Sequence, residues 1–136
     1  MIIRYAEVLL SYVESLVEMN DWQNPDVVLY LNQIRNRAGM PDADVSKYNS
    51  QAAMRKLTRH ERQVELAFEG QRPFDIRRWK TGEVLLNEPA KGAIDPASGK
   101  AVIIEHRIFN PARDYGWPIP LAEINANPNM KQNPNW

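Results

Sequence analysis

The stretch IIRYAEVLLSYVESLVEM, residues 2–19, decides the fold of the first part of the chain, because its apolar residues recur at helical spacing. At about 100° per residue, one side carries an apolar stripe: Tyr5, Val8, Leu9, Tyr12, Val13, Leu16 and Met19. The stripe is widened past a half turn by Ala6, Leu10 and Val17. The polar side is a narrow strip of Glu7, Ser11, Glu14 and Glu18. So wide a stripe predicts a helix packed between neighbours on two sides. The pattern begins without a capping residue, and we expect further structure upstream.

A second helix is predicted by its start and stop signals. The run Asn24-Pro25-Asp26 supplies an N-cap, a proline at the first helical position and an acidic residue in the first turn. Gly39 suits the left-handed residue that commonly follows a helix. Residues 2–39 are therefore predicted to form an antiparallel helical hairpin, close in length to one tetratricopeptide-like unit.

The segment 51–69 predicts a third helix, with Gly70 as its stop. Its apolar stripe consists of Ala53, Leu57, Val64 and Phe68. Glu61 projects only about 40° from that stripe, and several arginines surround it in the sequence. We therefore expect the Glu61 carboxylate to be substantially buried and paired with an arginine. Pro73 can open a short fourth helix that runs through Trp79.

After Thr81 the character of the chain changes, because Gly, Pro and Asn become frequent. The run Asp-Pro-Ala-Ser-Gly at 95–99 predicts a turn between 93–94 and 101–104, which would form a small β-hairpin.

The tail 110–136 is too rich in proline for regular structure, but it carries several apolar side chains. We expect it to form an extended arm packed across the helices, with Tyr115 and Trp117 largely buried. The chain as a whole is predicted to be a single, mostly α domain, with a helical part (2–80), a variable insert (81–109) and the packed C-terminal arm.

Composition and charge exclude several classes of function. With 136 residues, the chain is long enough for one compact domain with a core. Its 17 basic and 17 acidic residues cancel, and the basic run Arg77-Arg78 lies close to Asp75, so nucleic acid is not an expected partner. The absence of cysteine excludes disulfides and thiolate sites. Glutamates interrupt the apolar N-terminal run, and we expect neither a signal peptide nor a membrane span in it.

Two patterns that could carry chemistry are better explained by structure. His60-Glu61 could begin a HExxH zinc motif, but the second histidine would fall at Val64. Glu61, Glu65 and Glu69 recur at every fourth position among arginines, which is typical of an ion-pair lattice rather than of a catalytic carboxylate pair. We therefore expect no catalytic residue, no metal site and no cofactor.

Exposed aromatic rings are the side chains to examine for ligand binding, because the C–H faces of sugars stack on them. Trp22, in the polar link between the first two helices, is the candidate ligand-binding residue; alternatively, it covers the end of the hairpin. Trp79, Tyr115 and Trp117 are expected to be core anchors. With one exposed ring, the chain alone should bind soluble oligosaccharides weakly or not at all.

Four blocks of sequence, in the same order, resemble the C-terminal part of the SusD/RagB proteins. The blocks are RYAEVLL (4–10), LNQIRNRAGMP (31–41), RHERQVELAFEG with FDIRRW (59–70 and 74–79), and NPARDYGWPIP with EI, NPN and QNP (110–120, 123–124, 127–129 and 132–134). Pro73 departs from the pattern, since a bulky residue is expected there.

The resemblance implies a non-enzymatic lipoprotein of polysaccharide utilization, lipid-anchored at the cell surface of the outer membrane. Such proteins capture oligosaccharide and deliver it to a TonB-dependent, SusC-like transporter, over which they sit as a lid. Members are several times longer than this chain, which would therefore correspond to their C-terminal portion and serve mainly as scaffold. Their main glycan platform lies largely upstream, so the resemblance carries over no ligand residue. The alternative is a stand-alone helical-repeat module for protein–protein interaction.

Overall fold

The computed structural model describes residues 3–136, so Ile2, where the first helix was expected to begin, lies outside the described residues. The described chain is mostly α with one small β-hairpin, as predicted. Its elements are α1 (Tyr5–Glu18), α2 (Pro25–Arg37), α3 (Gln51–Glu65), α4 (Arg72–Arg78), α5 (Gly82–Leu85), β1 (Ala90–Ile94), β2 (Ala101–Glu105) and α6 (Leu121–Ala126). They divide into two compact units, one that ends at Arg72 and one that comprises Pro73–Trp136.

The first unit is built from α1, α2 and α3, and α1 contacts both of the other helices. The predicted signals of α2 are confirmed: the Asn24 side chain accepts from the Asp26 N–H at 3.1 Å, and Gly39 has φ of 74°. The apolar core of this unit consists of Leu9, Leu10, Val13, Leu16, Val17, Val27, Leu31, Ile34, Ala43, Met54, Leu57 and Leu66. Each fully buried aliphatic side chain among them stabilises the unit by about 1.5–3 kcal/mol.

Only part of the wide apolar stripe of α1 is buried. Leu10 and Val13 are inaccessible to solvent, whereas Tyr5 and Val8 are 66% and 52% exposed. Glu14, which was expected on the polar side, is buried. Within the first unit α1 thus has both α2 and α3 as neighbours, and they leave part of the stripe exposed.

Helix α3 ends at Glu65, four residues before its predicted end, because the N-terminal segment contacts its last turn. In a continued helix, the Glu65 carbonyl would accept from the Glu69 N–H. Here that carbonyl accepts from Nη2 of Arg4 at 2.6 Å, and the Glu69 N–H donates to the Leu66 carbonyl instead. The chain then turns through Phe68, which has φ of 64°.

The buried face of α3 also differs from the predicted stripe. Leu57 is buried, but Val64 is exposed and Phe68 is fully exposed. Glu61 and Arg62 lie on the buried face instead. A stripe drawn through apolar residues alone fails here, because a charged side chain can be buried when a partner of opposite charge pairs with it.

The second unit contains α4, α5, α6 and the antiparallel pair of β1 and β2. The predicted hairpin is confirmed: Asp95 begins the turn by accepting from the Ala97 N–H at 3.0 Å, and Gly99 has φ of 65°. The arm is more regular than expected, because α6 forms within it. Pro120 precedes this helix and its carbonyl accepts the Glu123 N–H at 3.0 Å, and no proline follows until Pro128.

Tyr115 anchors the arm on α5. Its ring meets the Phe109 ring edge to face, with 4.8 Å between the centroids. The Gly82 N–H donates to the Tyr115 hydroxyl at 3.0 Å, and that hydroxyl donates to the Glu83 carboxylate. Burial, followed by the bond to Glu83, raises the pKa of Tyr115. Tyr115 and Trp117 were both predicted to be largely buried. Tyr115 is half-buried, so the prediction is confirmed in part for this residue. For Trp117, which is 56% exposed, the prediction is wrong.

Candidate functional site

The glutamates of α3 lie in ion pairs that join the helices of the first unit. Glu61 is 8% exposed, and its carboxylate accepts from Nη1 of Arg35 on α2, so the prediction of a buried, paired Glu61 is confirmed. Arg35 is held in place by a second bond, from its Nε to the Pro41 carbonyl at 2.8 Å.

Glu65 is the centre of a second cluster. Its side chain is 7% exposed and accepts from Arg4 at 2.9 Å and from Arg37 at 2.7 Å. Arg4 also donates to Glu69 at 2.6 Å. Arg4 lowers the pKa of the Glu69 carboxyl, and Glu69 and Glu65 raise the pKa of Arg4. These carboxylates are ion-pair partners of arginines, which is the lattice that the sequence predicted.

Trp22, the candidate ligand-binding residue, lies between α1 and α2, as the sequence indicated. It is half-buried and packs against the apolar core of the first unit. This contact agrees with the alternative that Trp22 covers the end of the hairpin. A role of Trp22 in ligand binding stays a prediction.

The second unit has an aromatic pocket that the sequence analysis missed. We use the name Trp117–Trp136 pocket for the open cavity of about 350 Å³ lined by Arg77, Leu86, Phe109, Asp114, Gly116, Trp117, Pro118 and Trp136. Trp117 and Trp136 are 56% and 45% exposed. This volume lies within the range of roughly 300–1,000 Å³ that is common for small-molecule sites.

Side-chain amides of the C-terminal tail hold this pocket together. Asn133 donates to the Trp117 carbonyl at 2.6 Å, and Asn135 donates to the Ala112 carbonyl at 2.8 Å. Gln132 accepts the Ile119 N–H at 2.8 Å and donates to the Ile119 carbonyl at 2.9 Å. The tail thus uses amide side chains where a strand would use its backbone, which accounts for its asparagines and glutamine.

Charged groups lie against both indole rings. The Arg77 guanidinium is 4.0 Å from the centroid of Trp117, and the Arg113 guanidinium is 4.8 Å from that of Trp136. Asp114 accepts from Arg113 at 2.6 Å and from the Asn110 N–H at 2.7 Å. The bond from Arg113 is the main cause that lowers the pKa of Asp114, and the carboxyl is therefore ionised at neutral pH and acts as an acceptor.

Two negative findings concern the whole described chain. No group of His, Cys, Asp and Glu side chains in residues 3–136 is arranged to hold a metal ion. No helix in this range combines the length and apolar character that crossing a membrane requires.

This architecture, a three-helix unit followed by a unit of short helices and one β-hairpin, is similar to that of solved SusD-like proteins. The family model described as "SusD family" matches residues 1–136, and the chain belongs to the SusD family.

Among the relatives, the SusD-like protein P2 of Formosa agariphila is 33% identical over 135 residues, which cover 96% of this chain and 24% of that protein. A crystal structure of a SusD-like carbohydrate binding protein from Bacteroides fragilis superposes with a TM-score of 0.81 at 37% identity, over 95% of this chain and 28% of its own. A second SusD-like protein from B. fragilis gives a TM-score of 0.80 at 33% identity, over 99% of this chain and 25% of its own. The chain thus spans about a quarter of the length of these relatives.

Proposed function

We propose that the protein to which this chain belongs captures oligosaccharide at the outer-membrane surface and delivers it to a TonB-dependent, SusC-like transporter, without chemical change to the glycan. The observation that carries this proposal is the family match over the whole chain. A solved relative at 37% identity is described as a carbohydrate binding protein, which supports glycan as the class of ligand. A lipid anchor at the cell surface is part of the same proposal.

Within that protein, these residues serve mainly as scaffold. The ion pairs of the first unit support this role, because they join residues far apart in the sequence. Arg4, before α1, bonds to Glu65, the last residue of α3, and to Glu69 in the turn that follows. Arg55 of α3 makes two bonds of 2.8 Å to Glu18 at the end of α1. Bidentate arginine–carboxylate pairs of this kind fix orientation as well as contributing energy.

A glycan array probed with the complete gene product tests the capture step, and chromatography of each bound oligosaccharide after incubation tests whether it is left intact. We expect binding to at least one plant or host oligosaccharide and no cleavage product. Failure to bind any glycan, together with recovery of a soluble protein partner in place of a transporter, would favour the alternative of a helical-repeat interaction module.

A further inference from the structure

We infer that the Trp117–Trp136 pocket binds one sugar ring of an oligosaccharide, as a subsite within this C-terminal portion. This inference rests on the proposed function, since it takes glycan as the ligand class, and it adds a position and a set of contacting residues.

The first argument is the exposure of the two indole rings. Large apolar side chains that stay exposed beside a concave surface are typical of a binding site. The Arg77 guanidinium at 4.0 Å covers one face of Trp117. The residue still keeps 56% of its surface exposed. The negative face of an indole attracts the weakly positive C–H groups on one side of a pyranose ring.

The second argument is the polar groups beside these rings. A sugar presents hydroxyls that both donate and accept, so its site needs an acceptor and a donor close to the aromatic platform. Asp114 is an ionised acceptor that lines the pocket, and its side chain keeps 14% exposure. Arg77 also lines the pocket and supplies guanidinium N–H donors, one of which bonds to the Pro73 carbonyl at 3.1 Å.

The third argument is that the rings are held in place before a ligand arrives. The Trp136 indole N–H donates to the Arg113 carbonyl at 3.2 Å, and the Arg77 guanidinium packs on the Trp117 ring at 4.0 Å from its centroid. Held in this way, both rings lose little rotational freedom on binding, which reduces the entropic cost of stacking.

The charges select a neutral oligosaccharide over a strongly charged ligand. Arg113 and Asp114 neutralise each other at 2.6 Å, so the pocket has no surplus of negative charge and one guanidinium, Arg77, remains beside the platform. A site for an anion such as a phosphate would use several converging cations instead.

The test is a titration of the ¹⁵N-labelled chain with maltohexaose, cellohexaose, laminarihexaose and xylohexaose, followed through the indole N–H signals. The chain has four tryptophans, so each ring has its own signal. We expect one probe to shift the Trp117 and Trp136 signals in a saturable manner, with a dissociation constant of about a millimolar. The Trp22 and Trp79 signals should stay in place and serve as internal controls.

Variants then test the contacts. Trp117→Ala should weaken binding by at least about fivefold, by analogy with the stacking of bases on aromatic side chains. Trp136→Ala, which removes the other ring, keeps the test valid if the first variant loses its fold. Tyr5→Ala is the matched control, because this ring on α1 is 66% exposed and should leave the affinity unchanged.

The outcomes separate this inference from the proposed function. If the complete gene product binds a probe but the Trp117 and Trp136 signals do not move, the pocket is not a subsite and glycan capture still stands. A shift of the Trp22 signal alone would place the ligand at the hairpin link and overturn the inference. If neither the chain nor the gene product binds any glycan, both proposals fail.

Discussion

Replacing Glu61 by alanine should destabilise the first unit by about 3 kcal/mol, because it leaves a buried charge without its partner. Glu61 is 8% exposed, and the side chain of its partner Arg35 is 15% exposed. Removing one member of such a pair costs about 3–5 kcal/mol. We place this case at the lower end, since Arg35 keeps some contact with water and its bond to Pro41. The loss is a large share of the roughly 5–15 kcal/mol that stabilises a typical domain.

Urea unfolding followed by far-ultraviolet circular dichroism measures this loss. With a denaturant slope of about 1–3 kcal/mol per molar, the midpoint should fall by roughly 1–3 M. The matched control is Lys47→Ala, which breaks an exposed ion pair of 3.4 Å to Asp44 and should cost less than about 0.5 kcal/mol. The double variant Glu61→Leu/Arg35→Met should recover much of the stability, because it removes both charges. A loss below about 1 kcal/mol for Glu61→Ala alone would refute the reasoning.

Three further predictions follow from single contacts. Gly82→Ala should destabilise the second unit by about 1–3 kcal/mol, because the new Cβ would overlap with the Phe109 ring. A melting temperature equal to that of the parent would show that Phe109 does not pack against Gly82 in this way. The free energy of unfolding should fall as the pH drops below the ordinary glutamate pKa of 4.5. Arg4 lowers the pKa of Glu69 in the folded state, and this stabilisation is lost when the carboxyl protonates. Glu69→Gln should flatten this pH dependence in urea titrations. Trp22→Ala should cost about 2 kcal/mol, as expected for a half-buried ring on the core, and calorimetry should show unchanged glycan binding if the residue is only a cover.

The helices of the first unit could be predicted because their signals are local. Asn24 caps the start of α2 by accepting from the Asp26 N–H, and Gly39 adopts a left-handed conformation just after its end. Both signals involve residues that are close in sequence, so a short window of sequence contains them. The end of α3 could not be predicted in this way. It depends on Arg4, which is 61 residues away in the sequence and takes the carbonyl that would have continued the helix. The burial of Glu61 was predictable because the residue lies one helical turn after Leu57, which is buried, and has arginines within reach.

The aromatic pocket was missed for a related reason. Exposure of Trp117 is set by residues that are distant in sequence: Arg77 lies over its ring and Asn133 holds its backbone. A proline-rich tail gives no period from which a buried or exposed face could be read. The sequence did carry one signal, which lies in its composition. The last residues are rich in asparagine and glutamine, whose amide groups can bond to backbone carbonyls that regular structure leaves unpaired.

The exposure of Trp117 also changes what the chain alone should do. The expectation of little or no oligosaccharide binding assumed that Trp22 was the one ring available to a sugar. Trp117 and Trp136 are also exposed, and each stacked ring contributes about 1–2 kcal/mol, by analogy with bases on aromatic side chains. Two rings with one or two hydrogen bonds reach the roughly 4 kcal/mol that a millimolar dissociation constant requires. Binding much tighter than this would need contacts outside the pocket, and isothermal titration calorimetry on the chain and on the complete gene product measures that difference directly. We expect the gene product to bind at least about tenfold more tightly if it carries the upstream platform that the family resemblance implies, since a long oligosaccharide would then occupy both sites together. Equal affinities would mean that this pocket alone accounts for capture, and a scaffold role for these residues would then be wrong.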